Sequence, residues 1–151
     1  MKILLAYDGF EHSKHALEEA AELATTGFGE LTILSVVPEA DARASKAGGH
    51  RWLAPHAHQD VAIAHRYLAE YGVEAEMKIA YGDPVEQIRK EAAEGDYDFI
   101  VVGSHGRGPV GRMFLGSVST ALLEAAPCAV LIVSKDTTVR REPARSLRAT
   151  A

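Results

Sequence analysis

The chain has 151 residues, enough for one domain with a hydrophobic core, and an ordinary globular composition with 47% hydrophobic and 25% charged residues. Its net charge of −5 argues against a general nucleic-acid binder, and no apolar run approaches the roughly 18–20 residues that span a membrane. Cys128 is the only cysteine, so no intrachain disulfide can form, and a strand pattern follows Met1-Lys2 directly; no cleavable leader and a cytoplasmic setting are expected.

Strands and helices alternate along the chain. Ile3 to Ala6 reads as a first strand, leading through Asp8 and Gly9 to a helix from Ser13 to Ala24, with Ala16, Leu17, Ala20, Leu23 and Ala24 at helical spacing. Gly27 and Gly29 stop that helix, and Leu31 to Val37 is a second strand ended by Pro38. Glu39 to Pro55, rich in Ala and Gly and containing Gly48-Gly49, reads as a mobile loop. Val61 to Tyr71 is helical and is stopped by Gly72. Val73 to Ala80 alternates apolar and charged residues, as an edge strand with one wet face does.

Asp83-Pro84-Val85-Glu86 starts the next helix: Asp83 as N-cap, Pro84 at the first helical position, Glu86 as the returning capping-box residue. Val85, Ile88 and Ala92 form its apolar side. Tyr97 to Val102 is a fourth strand, Ser117 to Ala125 the last helix and Ala129 to Val133 a fifth strand. The two late strands are nearly continuous apolar runs, which suits strands covered on both faces. This order predicts an α/β fold with a parallel sheet and right-handed crossovers. Residues 1–134 form the domain. From Lys135 the chain loses hydrophobic periodicity and carries five basic against two acidic residues, so 135–151 reads as a basic, disordered tail.

The most informative segment is Gly103 to Ser117, G-S-H-G-R-G-P-V-G-R-M-F-L-G-S, between the fourth strand and the last helix. Glycines allow close backbone approach, and a helix start offers unpaired N–H groups and positive dipole, so the segment can cradle phosphate oxygens. Arg107 and Arg112 could add charge-assisted bonds, and His105 could donate one hydrogen bond. Ser117 can cap the helix, bind phosphate, or do both; Ser119 is the next polar group in that turn.

The spacing Gly103-x2-Gly106-x9-Gly116-Ser117, together with Ile3-Leu4-Leu5-Ala6-Tyr7-Asp8 and the helix after Ser13, resembles the ATP-binding universal stress proteins. The resemblance runs from about Lys2 to about Ser134. It implies a three-layer, Rossmann-like open parallel sheet of five strands in order 3-2-1-4-5. The ligand crevice then lies beyond strands one and four, where the order reverses. It also implies a nucleotide site of Ala6, Asp8, Val36, Val102, Gly103, Gly106, Arg107, Gly108, Gly116, Ser117, Val118 and Ser119. Asp8 would accept from ribose or adenine donors or contact a metal indirectly, Val36 would read the adenine edge through its backbone, and Ala6 and Val102 would line the purine slot. The ligand would be ATP, or AMP or ADP, with Mg or Mn accompanying the phosphates. The family often has Ser two residues after the acidic turn residue; here Phe10 stands there and removes a hydroxyl from the pocket wall.

Function then divides three ways. The first reading is a nucleotide-binding stress-response regulator or sensor with an unidentified protein partner. The second is a slow ATPase or phosphotransferase in the same crevice, against which stand the lack of an acidic metal pair, a P-loop lysine motif and a base. The third is a nucleotide-independent dimeric interaction protein. A phosphoreceiver domain would need an acceptor Asp after strand three, where Asp83 is committed to capping. Gly106-x-Gly108-x-x-Gly111 spells the dinucleotide fingerprint but follows the fourth strand and holds Pro109, which argues against NAD. His50, His56, His58 and His65 have no Cys partner and read as surface residues rather than zinc ligands, and Cys128 reads as buried. The resemblance further implies a homodimer through Ala129 to Val133, an apolar edge that needs cover.

Overall fold

A computed structural model describes residues 1–26, 29–39, 53–104, 115–134 and 138–140. Six strands, β1 (Lys2–Ala6), β2 (Glu30–Val37), β3 (Ala75–Tyr81), β4 (Phe99–Gly103), β5 (Ala129–Val133) and β6 (Thr138–Arg140), form one sheet in the order β3-β2-β1-β4-β5-β6. The first five are parallel, in the predicted order 3-2-1-4-5. Four helices among the described residues connect them: α1 (Glu11–Thr26), α2 (Leu53–Glu70), α3 (Pro84–Glu94) and α4 (Ser117–Ala125).

The layers follow from the two-residue period of strands, which sends successive side chains to opposite faces. Ile3, Leu5, Leu31, Ile33, Val101 and Leu131 point to one face, where Ala16, Leu17 and Ala20 of α1 and Val61, Ala64 and Leu68 of α2 cover them. Leu4, Leu34, Ile100, Val102 and Ile132 point to the other, against Ile88 and Ala92 of α3 and Leu122 of α4. Both faces of the central strands are thus dry. β3 is a true edge, and its side chains are half-buried or exposed.

Several boundaries differ from the sequence reading. Helix α1 starts at Glu11, two residues before Ser13, because the Asp8–Phe10 turn already sets the chain in a helical direction: Asp8 Oδ1 accepts from the Phe10 N–H at 3.0 Å. Helix α2 starts at Leu53, inside the stretch read as a loop; residues 40–52 lie outside the described residues. β3 begins at Ala75 rather than Val73, since Val73 is buried under the turn at Gly72 and its N–H bonds the Leu68 carbonyl at 2.9 Å. β4 begins at Phe99 rather than Tyr97, whose hydroxyl instead reaches across the sheet to Thr32 Oγ1 at 2.8 Å.

The sixth strand lies in the stretch read as a disordered tail. Thr138–Arg140 runs antiparallel to β5, with Val133 opposite Thr138 and Leu131 opposite Arg140. The β5 edge expected to need cover therefore has it from the same chain. Residues 135–137 and 141–151 lie outside the described residues.

Candidate functional site

Where the strand order reverses, β1 and β4 are neighbours whose following segments leave toward opposite faces, and the gap between them opens a crevice at their carboxyl ends. A cleft of about 480 Å³ occupies it, within the usual range for small-molecule sites. Its lining includes Ala6, Asp8, Val36, Val102, Gly103, Gly116, Ser117, Val118 and Ser119. The fold thus brings together every predicted site residue that it describes. Gly106, Arg107 and Gly108 lie outside the described residues, as do His105 and Arg112. A larger depression, about 820 Å³, lies at the amino ends of the strands around Lys2, Glu30, Glu74 and Tyr97, so size alone does not pick the site.

Each wall has a local cause. β2 outlasts β1: the last paired residues are Ala6 and Leu34, and the Tyr7 N–H donates to the Leu34 carbonyl at 2.9 Å. Successive residues of a parallel strand direct their N–H and C=O alternately to the two sides. Val36, two past Leu34, therefore aims both at the space β1 has left, where a ligand with a donor and an acceptor side by side can take the place of a strand. Leu34, Ile88 and Val102 supply apolar surface beside it.

The opposite wall is the start of α4. Its N-cap is Gly116, in extended conformation (φ −61°, ψ 160°), and no side chain among the described residues caps the helix. Ser117 is thus the first helical residue rather than the N-cap, and it is exposed at the cleft. The first turn, Ser117 to Ser119, lines the cleft without a side-chain cap among the described residues, the arrangement that binds anions. Ser119 lines the cleft too, but it is buried and its hydroxyl donates to the Gly103 carbonyl at 2.8 Å. Its proton fixes α4 to the end of β4. The Gly116 N–H adds a second tie, to the Ser104 carbonyl at 2.6 Å.

Gly103 lines the cleft, yet its need for glycine arises elsewhere. A Cβ there would sit 2.7 Å from the carbonyl oxygen of His12, so the missing side chain makes room for α1. Asp8 is exposed, and its carboxylate both faces the cleft and holds the Phe10 turn.

A smaller pocket of about 260 Å³ adjoins the cleft, sharing Asp8, Val36 and Pro38 with it. Phe10, His56 and Asp60 line it; the sequence puts Phe10 at the pocket wall, but nothing in it points to His56 or Asp60. Asp60, on α2, lies over the β1–α1 turn so closely that a Cβ on Gly9 would come within 2.5 Å of its carboxyl group. Gly9 also has φ +80°, which favours glycine. Burial, and to a smaller extent the charge of Asp8, raises the Asp60 pKa, against the opposing pull of His56 and Lys14. Tyr7 is likewise pushed up, by burial first and then by Asp60 and Asp8. No signal near Asp60 in the chain could have revealed this; the contact spans some fifty residues of sequence.

The other singled-out residues stand apart from this cleft. His58 is exposed and His65 half-buried, both on α2; His50 lies outside the described residues. No group of three or more His, Cys, Asp or Glu suited to a metal ion occurs among the described residues. Cys128 is half-buried, with a thiol pKa raised by burial and then by Asp98, which favours the protonated, less nucleophilic form. No helix among the described residues is long and apolar enough to cross a membrane.

Comparison with known proteins places this geometry in a family. The family model described as the universal stress protein family matches residues 1–134. The universal stress protein YxiE of Bacillus subtilis is 35% identical over 144 residues, covering 87% of this chain and 97% of that protein. Among solved structures, the universal stress protein UspA from Lactobacillus plantarum superposes with a TM-score of 0.78 at 25% identity, covering 88% of this chain and 97% of that one. A universal stress protein family protein from Arabidopsis thaliana with AMP bound shares the fold, with a TM-score of 0.64 at 24% identity, covering 89% of this chain and 91% of that one.

Proposed function

The chain belongs to the universal stress protein family, and on that footing we propose that it binds an adenine nucleotide in the cleft between β1 and β4 and acts as a nucleotide-linked regulator or sensor. The observation that carries this reading is the pairing of two unlike walls across one cleft. Val36 offers a backbone donor and acceptor that β1 does not pair, beside apolar surface, which suits a purine edge. The α4 start offers N–H groups with no side-chain cap among the described residues, which suits phosphate. Asp8 lies between them, an acceptor suited to ribose hydroxyls. The AMP of the Arabidopsis protein is compatible with this assignment, although at that identity the likeness is one of fold. ATP with Mg or Mn on its phosphates is the ligand we assign, with AMP and ADP as shorter occupants of the same walls.

Regulation would arise from differential affinity: a nucleotide can shift a conformational or partner equilibrium only as far as it prefers one state. Self-association through Ala129–Val133 carries a cost in this chain, because β6 already pairs with β5 and a second copy would have to displace it.

The test is a calorimetric titration of nucleotide-stripped protein with ATP and magnesium, beside a Gly116→Trp variant whose fold is checked by circular dichroism. Micromolar binding lost in the folded variant is the expected result. No binding at millimolar ATP would overturn the reading, and turnover well above about 1 per minute would shift it toward an enzyme.

A further inference from the structure

The cleft and the smaller pocket beside it share Asp8, Val36 and Pro38, so an occupant of the cleft and the side chains of the pocket meet along one wall. Asp60 stands in that pocket with its charge uncompensated. It is half-buried on α2, and no hydrogen bond or ion pair reaches its carboxyl group among the described residues. Packing puts it there. Gly9, at φ +80°, turns the chain after β1, and all three carboxyl atoms of Asp60 lie within 2.8 Å of the point where a Cβ on Gly9 would stand. The residue before that glycine is Asp8, whose Oδ1 accepts from the Phe10 N–H at 3.0 Å. Two carboxylates thus stand about one glycine, Asp8 on the cleft and Asp60 behind it.

The charges facing Asp60 come from three directions. His56 precedes it by one turn on α2, Tyr7 and Asp8 face it from the chain just past β1, and Lys14 faces it from α1. The stretch of β2 in the pocket, Ser35 to Pro38, has no titratable side chain. His56 is exposed, and Lys14 is drawn also to Glu11, whose Oε2 lies 3.8 Å from its Nζ, so solvent screens both cations. Their pull does not cancel burial and the charge of Asp8, and the balance favours the neutral acid over its level in free aspartate.

An anion in the cleft adds to this imbalance. A ligand carrying phosphate brings negative charge toward a carboxylate that has no partner, which penalises the ionised form and favours uptake of a proton. Linkage is reciprocal, so a proton on Asp60 tightens the anion by the same factor. Two like charges roughly 10 Å apart, at an effective dielectric constant of about 20 to 80, change an affinity by about two- to fifteenfold.

We propose that Asp60 tunes the affinity of the cleft for an anionic nucleotide through its own protonation, weakening binding when ionised and releasing that penalty when neutral. The inference rests on the nucleotide reading above and names a regulation of that same site. Asp60 is a positioning residue: it acts across Gly9 and Asp8 rather than by touching the ligand. Affinity is therefore greatest at pH values where Asp60 is protonated in the free protein. It falls as pH rises through the raised titration range, and levels off once Asp60 is ionised in the bound state as well.

The test is calorimetric titration of the full chain and of Asp60→Asn with ATP and magnesium, from about pH 8 down to about pH 4. The variant keeps His56 and the ligand's own titration, so the difference between the two proteins isolates Asp60. At neutral pH Asp60→Asn should bind about two- to fifteenfold more tightly than the parent protein, and the two affinities should converge as pH falls. In the parent protein, the NMR titration midpoint of the Asp60 carboxyl carbon should move upward when ATP saturates the cleft. Equal affinities at neutral pH, or weaker binding in a folded variant as a merely structural role requires, would overturn the proposal while leaving the nucleotide reading in place. A midpoint that ATP does not move would do the same, even if Asp60→Asn failed to fold. ATP binding to neither protein at any pH would remove the nucleotide reading and this inference with it.

Discussion

A methyl group at Gly103 would lie 2.7 Å from the His12 carbonyl oxygen and 2.8 Å from its carbonyl carbon, both backbone atoms of a helix packed on the sheet. Backbone cannot rotate away as a side chain can, so the strain must be taken up by moving α1 or the end of β4. Gly103→Ala is expected to destabilise the protein by about 1–3 kcal/mol, read as a lowered urea midpoint, and to weaken nucleotide binding through the displaced cleft wall. An unchanged midpoint would refute the packing role. Asp60 leads to a prediction of the opposite sign. Burial, then the charge of Asp8, raises its pKa on folding. An acid with a raised folded pKa binds its proton more tightly when folded, so stability falls as pH climbs from the ordinary aspartate range through the raised value, and remains lower above it. Asp60→Asn removes that loss. Its melting temperature should exceed that of the parent protein at neutral pH, and the advantage should vanish in acid, below about 3.9. Thermal melts across that range check both halves.

The helix starts show how far neighbouring residues can specify an element. Asp83 accepts from the Glu86 N–H at 2.9 Å with Pro84 at the first helical turn, as their order in the chain predicts. Asp83→Ala should cost about 0.5–2 kcal/mol by chemical denaturation, with Asp83→Asn retaining most of it. A full effect in both variants would point to charge rather than the capping bond. Helix α4 and strand β5 fall on the predicted residues, Ser117–Ala125 and Ala129–Val133, because Gly116 and Pro127 punctuate them locally. Helix α2 was read eight residues too short, since its amino-terminal turns bear histidines and a proline rather than an apolar stripe. Strand β4 was read two residues too long at its start. Tyr97 looks like a strand residue in sequence, but it follows Asp96 at φ 51° and spends its hydroxyl on Thr32 and Glu91. A partner 65 residues away overrides its local preference.

The molecule as a whole is expected to report its ligand through stability. A nucleotide that binds only the folded state adds RT ln(1 + [L]/Kd), about 2.7 kcal/mol at a hundred times Kd. Melting with increasing ATP and magnesium should therefore shift upward without saturating, and Gly116→Trp should abolish the shift. A shift retained in that variant would place the ligand away from the α4 start.

Periodicity, glycine and proline punctuation, and the capping sequence at Asp83 all act between residues close in the chain, which is why the α/β alternation and most cleft-lining residues could be read before any coordinates. The strand order was legible through family resemblance, since the same spaced glycines and acidic turn accompany that order elsewhere. Contacts between distant segments were not legible. The chain could not announce that Asp60 covers Gly9, that Gly103 yields its space to α1, that Ser119 is tied to β4, or that Thr138–Arg140 takes the β5 edge. Those outcomes depend on which surfaces remain uncovered once the sheet has formed. Burial, charge proximity and edge pairing are properties of the packed molecule, and their free energies exist only when residues far apart in sequence are brought together.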